Sequence, residues 1–133
     1  MKNYIDKLAY IHIIDNKILM SLSRGKDTWY IPGGKREGDE SDLEALVREV
    51  AEELSVKLLP HSIKKYGVFE AQAHGHPEGV MVRMTCYFGD FTGKLAAASE
   101  IEKLEFFPWS RKAESSVVDH LIFDNLKEKK LIQ

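Results

Sequence analysis

The chain has 133 residues, 44% of them hydrophobic and 30% charged, with a formal net charge of -2. That length suits one domain with its own core, expected to span residues 1–133, and the near-neutral charge excludes the broad basic field that a polymeric nucleic acid requires. A lone cysteine, Cys86, lies in an apolar run and rules out an internal disulfide framework or a thiolate zinc site.

The N-terminal "MKNYIDKLAYIHIID" is broken by Asp6 and Lys7 and has no long apolar stretch or small-residue cleavage site. It does not read as a signal peptide, no segment is long enough to cross a bilayer, and cytoplasmic residence is the default expectation. Leu8 to Ile14 and Lys17 to Leu22 are β-rich runs separated by "DNK", which predicts two antiparallel strands joined by a tight turn. "TWYIP" predicts a short strand leading into the "GG" loop, with Trp29 as a packing residue.

Leu43, Leu46, Val47, Val50 and Leu54 recur at helical spacing and predict an amphipathic helix of three to four turns. Ser41 followed by Glu44 is a capping-box pattern that places its start near Ser41. Beyond Pro60, the runs Ile63–Ala73, Val80–Phe91 and Leu104–Trp109 read as strands broken by "HGHPEG" and "FTGK", and Val117 to Leu126 reads as a second helix. Strands, helix, strands, helix give an α+β class with a mixed sheet between helices.

The first helix carries an unusual charge pattern. At about 100° per residue, Glu53 lies about 40° to one side of Glu49 and Glu52 about 60° to the other, so three carboxylates share one arc beside the buried face. Ala45 is the small residue one turn earlier on that arc, expected to leave open space in front of the carboxylates. Arg48 flanks it on the Glu52 side, where it can hold a carboxylate by a bidentate contact. Like charges at this spacing weaken a helix, and a hard divalent cation such as Mg²⁺ or Mn²⁺ among the oxygens reverses the penalty. A charge-rich helix face is more often simply solvated, so the spacing must carry the argument.

That spacing resembles the Nudix hydrolase signature: Gly, five residues, Glu, seven residues, Arg-Glu-apolar-any-Glu-Glu-any-Gly-apolar. Gly34, Glu40, Arg48, Glu49, Val50, Glu52, Glu53 and Val56 match it. Six of these are single-residue requirements at roughly 5 to 7% background each, which puts a chance match on the order of one in 10⁵. The signature's last glycine is Ser55 here, a departure that touches helix termination and not chemistry.

The resemblance implies a MutT-type α/β/α sandwich and cleavage of a diphosphate linked to another group, by in-line attack of a metal-activated water. It places Glu49, Glu52, Glu53 and the backbone carbonyl of Gly33 as metal ligands, with Glu40 and Arg48 bracing them. Glu100, with Glu102 and Glu105 as rivals, matches the glutamate that such proteins use for metal binding or general-base catalysis, so Glu53, Glu49 and Glu100 are the candidate catalytic residues.

Arg24, Lys35 and Arg36 bracket the glycine loop as candidate phosphate contacts. Arg83 alternates with Met81, Thr85 and Tyr87 on a strand face expected to line the substrate pocket. His74 and His76 match no zinc set or nucleophilic triad and read as loop residues. "FEAQAH" lacks the proline typical of ADP-ribose hydrolases and the tyrosine typical of dinucleoside polyphosphate hydrolases, and no coenzyme A motif is present. The expected substrate is therefore a nucleoside triphosphate cut to monophosphate and pyrophosphate. A sugar or isoprenoid diphosphate, or nucleotide sensing without catalysis, are the alternatives. The expected partner is a small molecule, with no polymeric nucleic acid and no membrane, and the protein a monomer or homodimer.

Overall fold

The computed structural model describes residues 3–73 and 75–133. His74 lies outside them. The first strand, β1 (Asn3–Tyr10), pairs in parallel with β7 (Val80–Phe88), which pairs antiparallel with β6 (Lys64–Gln72). On its other side β1 pairs antiparallel with β4, the two residues Gly33–Gly34, giving a mixed sheet in the order β4-β1-β7-β6. A second, antiparallel sheet joins β2 (Ile13–Ile14), β3 (Lys17–Ser23) and β9 (Ile101–Phe107). Two short strands, β5 (Lys57–Leu58) and β8 (Phe91–Thr92), form a separate pair.

The expected hairpin around "DNK" is only partly present. Ile13 and Ile14 pair with Ile18 and Lys17 across a turn in which Asp15 and Asn16 both have positive φ, at 52° and 63°. Upstream, however, the chain leaves one sheet for the other at Ile11 and His12: Ile11 N–H donates to Tyr87 O, while His12 O accepts from Leu19 N–H. The expected single strand Leu8–Ile14 is therefore two, because the backbone groups on either side of this crossover find partners in different sheets. "TWYIP" forms isolated bridges, Tyr30 to Ser21 and Trp29 to Ser115, not a strand; Trp29 is a packing residue, 7% exposed and against the Phe107 ring.

Helix α1 (Asp42–Leu54) starts where the sequence places it. Ser41 Oγ accepts from Glu44 N–H at 3.1 Å and Glu44 Oε1 accepts from Ser41 N–H at 2.9 Å, a complete capping box. At the other end Ser55 occupies the left-handed region at φ 63°, the conformation the signature's glycine adopts freely and a serine holds at a cost of about 1 kcal/mol. Its Oγ donates to Ala96 O and offsets part of that cost.

Side-chain alternation along β1 sends Leu8 and Tyr10 to one core with α1, and Ala9 to another with helix α2 (Val117–Glu128). Ile18 and Met20 of β3 join the α2 core while Leu19 joins that of α1, so both sheets lie between the helices. The sequence misjudges the face of α1 in one respect. Leu43 is 41% exposed, whereas Ala45 is fully buried against the Leu8 and Tyr10 side of the sheet and leaves no open space. The buried face is thus turned toward the carboxylates.

Candidate active site

Two glycines bring the chain against α1. A Cβ on Gly33, whose φ is 149°, would sit 1.9 Å from Leu8 O, and one on Gly34 would sit 2.5 Å from the Glu49 carboxyl carbon. Side chains are excluded there, so the helix carboxylates reach the backbone itself. Gly33 N–H donates to Glu53 Oε1 at 3.2 Å. Glu53 is only 6% exposed, and burial first, then the charges of Glu49 and Glu100, push its carboxyl up to about 8, with the Gly33 N–H opposing. Burial also raises Glu49, while Arg48 pulls it back.

Arg48 is the hub. Its Nε and Nη2 make a two-pronged contact with Glu40, at 2.7 and 2.9 Å, and Nη2 also donates to Lys35 O. Nη1 donates to Glu49 at 2.9 Å and to Glu52 at 3.3 Å. The Arg48 bonds, helped by Glu37 N–H, hold Glu40 down at about 2, so it stays ionised and fixes the guanidinium. Glu52 is turned outward to Arg48, and among the described residues no three acidic or imidazole groups converge on a single point. The donor set still fits a hard divalent cation: every candidate is a carboxylate or carbonyl oxygen, and the two most buried are raised first by burial and then by neighbouring charge, Glu53 by Glu49 and Glu100 and Glu49 by Glu52, which a cation relieves.

Glu100 stands within electrostatic reach of Glu53 on the turn before β9, and its carboxylate is lowered mainly by Ser99. Of its rivals, Glu105 is paired with Arg111 at 2.8 Å and Glu102 is exposed. Arg24 braces the Glu100 turn, its Nη1 donating to Ser99 O at 2.5 Å.

Two adjoining hollows open on the face of the mixed sheet opposite Arg83. A cleft of about 80 Å³ is walled by Ile5, Lys7, Tyr30, Lys35, Val82 and Met84, and it shares Lys7, Tyr30 and Met84 with a second hollow reaching Glu53, Gly33 and Ser21. Val82 and Met84 are buried in the core as expected, and their edges also line the opening between the sheets. Arg83 is on the reverse face, bound to Glu70 at 2.7 Å and facing Asp6. Arg36 joins it there, tied to Asp42 at 2.6 Å. The inside and outside of the strand are as expected: Val82, Met84 and Cys86 are buried on the α2 side, and Arg83, expected to line the pocket, lies on the opposite face, where its ion pairs are, away from the hollows. His76 is exposed at the rim of the cleft.

Sequence reasoning passed over Lys7 and Asp119. Lys7 extends over the Tyr30 ring at 5.6 Å from its centre, and burial lowers its ammonium. Asp119, on the first turn of α2, is fully buried; its Oδ2 accepts from Ile31 N–H at 3.1 Å and its Oδ1 has no hydrogen-bond partner among the described residues. Burial pushes it up to about 7, against the pull of Ile31 N–H and the Lys7 charge. Only an inward-facing lysine in "YIDKLAY" and an aspartate beside Val118, Ile122 and Phe123 marked them in the sequence.

A carboxyl raised on folding favours the native state below its unfolded pKa of about 4 and loses that contribution as pH rises through its folded value. Asp119→Asn, neutral throughout and still able to accept from Ile31 N–H, is therefore expected to raise thermal stability at pH 8 and to raise it far less at pH 4.5. The difference between the two gains has an upper bound of about 4 kcal/mol. Melting curves of both proteins at the two pH values check this, and an equal gain at both would contradict it.

The chain matches the NUDIX domain over residues 8–119. It is 27% identical over 92 residues to the uncharacterized Nudix hydrolase YvcI of Bacillus subtilis (strain 168), a match covering 69% of this chain and 58% of that protein. It is 41% identical over 68 residues to human (Homo sapiens) diphosphoinositol polyphosphate phosphohydrolase 2, covering 51% of this chain and 37% of the relative. The chain thus spans little more than half, or less, of these relatives' lengths. The crystal structure of the MutT NUDIX hydrolase from Burkholderia pseudomallei superposes with a TM-score of 0.76 at 18% identity, covering 92% of this chain and 98% of that one. The glycine-backed carboxylates of α1 are thus the signature of a family to which most of the chain aligns: it belongs to the Nudix hydrolases, with the MutT-type architecture.

Proposed function

We propose that the chain hydrolyses a diphosphate linkage with Mg²⁺, or Mn²⁺ in its place, and that its leading substrate is a nucleoside triphosphate, cut to monophosphate and pyrophosphate. The observation that carries this reading is the seating of Glu53 and Glu49 against Gly33 and Gly34, at the mouth of a cleft between two sheets. Glu49, Glu52, Glu53 and the Gly33 carbonyl are the proposed cation ligands. Held by these oxygens, a cation would supply a lowered pKa for water and positive charge opposite the phosphoryl group.

The chain's own residues do the positioning. Arg48, anchored on Glu40, orients Glu49 and Glu52, and Gly33 N–H orients Glu53. Glu53, Glu49 and Glu100 are the carboxylates placed to accept the proton lost by the attacking water. Lys35 lines the cleft as a phosphate contact; Arg24 acts by holding the Glu100 turn, and Arg36 and Arg83 are engaged elsewhere. No described helix is long and apolar enough to cross a membrane.

A second reading, hydrolysis of a non-nucleotide diphosphate, draws on the relative named for diphosphoinositol polyphosphates. A panel of nucleoside triphosphates, nucleoside diphosphate sugars, isoprenoid diphosphates and diphosphoinositol compounds, with released phosphate and pyrophosphate measured, separates the two. Magnesium-dependent pyrophosphate release from triphosphates, abolished by EDTA, is the expected result. Absence of turnover across the whole panel would leave nucleotide sensing in its place.

A further inference from the structure

The cations around the cleft fall into two groups. Each arginine already holds an oxygen: Arg24 the Ser99 carbonyl, Arg36 Asp42, Arg48 three glutamates, Arg83 Glu70 and Arg111 Glu105 with Glu114. Lys7 and Lys35 differ. Both line the cleft, and among the described residues no carboxylate stands within ion-pair distance of either ammonium.

Lys7 is half-buried on the strand that backs Gly33, in the stretch of wall common to the acidic hollow and the apolar cleft, and Lys35 is exposed at the rim. An ammonium has three donors and no acceptor, and although Lys7 feels the charges of Asp119 and Glu53, neither stands at ion-pair distance, so its half-desolvated head still gains from a closer anion. A neutral ligand oxygen satisfies one donor but leaves the charge, whereas a phosphate oxygen satisfies both. The mutual repulsion of two lysines is relieved by an anion between them.

We propose that Lys7, with Lys35 at the rim, forms an anion subsite that receives a third phosphoryl group next to the scissile diphosphate, so that linear triphosphates are preferred over diphosphate conjugates. This rests on the hydrolase reading above and narrows its substrate class. Lys7 touches substrate under this assignment, and its charge, not its bulk, is what counts.

The test compares wild type with Lys7→Met, which keeps the stem, and Lys7→Arg, which keeps the charge. With magnesium, Lys7→Met is expected to lower kcat/KM for nucleoside triphosphates by roughly 10- to 100-fold, mostly through KM, and to lower it for nucleoside diphosphate sugars several-fold less. Lys7→Arg should recover most of the loss, and melting curves should show all three proteins folded. An equal loss on both substrate classes, no loss on either, or a loss that follows the base and not the number of phosphates overturns the subsite.

Calorimetric titration with non-hydrolysable inorganic imidotriphosphate and imidodiphosphate gives a readout independent of turnover. The triphosphate analogue should bind wild type more tightly than the diphosphate analogue, and Lys7→Met should erase the difference. If nothing is hydrolysed yet this difference is found, the hydrolase reading fails and the subsite stands. If triphosphates are hydrolysed but Lys7→Met binds both analogues as wild type does, the subsite fails and the hydrolase reading stands.

Discussion

Glu53→Gln is expected to lower pyrophosphate release by roughly three orders of magnitude while leaving the fold intact. The carboxylate is 6% exposed and is held by Gly33 N–H, an interaction the amide oxygen of glutamine can keep. What the amide cannot supply is negative charge for a hard cation, nor a site for the proton lost by the attacking water. Because the native carboxyl is destabilised by burial and by neighbouring carboxylates, the neutral variant should melt no lower than wild type. Initial rates at saturating magnesium, alongside thermal melts, check both halves. Turnover close to wild type would remove Glu53 from the chemistry.

Gly33→Ala is expected to act through the fold instead. The added methyl meets Leu8 O at 1.9 Å, and Leu8 belongs to β1, which is flanked by β4 and β7, so the collision is backbone against backbone in the middle of the sheet. Nothing flexible is available to yield. A loss of at least about 3 kcal/mol is expected, or a fall in Tm of about 10 °C or more. Gly34→Ala provides the contrast, since its methyl meets the far end of the Glu49 side chain, which can swing away. That variant should stay folded and lose activity. Similar melting temperatures for Gly33→Ala and wild type would show that the β1 and β4 pairing does not hold the site.

The sequence was most informative where structure depends on near neighbours. Ser41 and Glu44 bond reciprocally within one helical turn, and the angular positions of Glu49, Glu52 and Glu53 follow from helical geometry alone. The signature residues Glu40 and Arg48 meet because a short loop and one helix connect them. Legibility failed where a partner lay far along the chain. No local pattern says that Tyr10 and Ile13 belong to different sheets, since that is decided by β7 and β3. Alternation of Val82, Arg83 and Met84 gives two faces, but which one borders the cleft depends on where the sheets part. Lys7 was overlooked for the same reason. Asp119 was overlooked because an aspartate in an amphipathic helix is ordinarily at the surface, and the close approach of Ile31, far along the chain, provides a donor for it inside.

The parallel pairing of β1 with β7 places Asn3 beside Val80, while Gly33 lies beside Ala9. On a ribosome, the glutamate-bearing helix would therefore be synthesised well before the strand that secures its backing has emerged. Such distant contacts make loop closure the slow part of assembly, and a nascent chain halted before Val80 would carry its glycines and carboxylates without the scaffold that unites them. Competence to bind substrate should consequently arrive late and all at once, with completion of the central sheet.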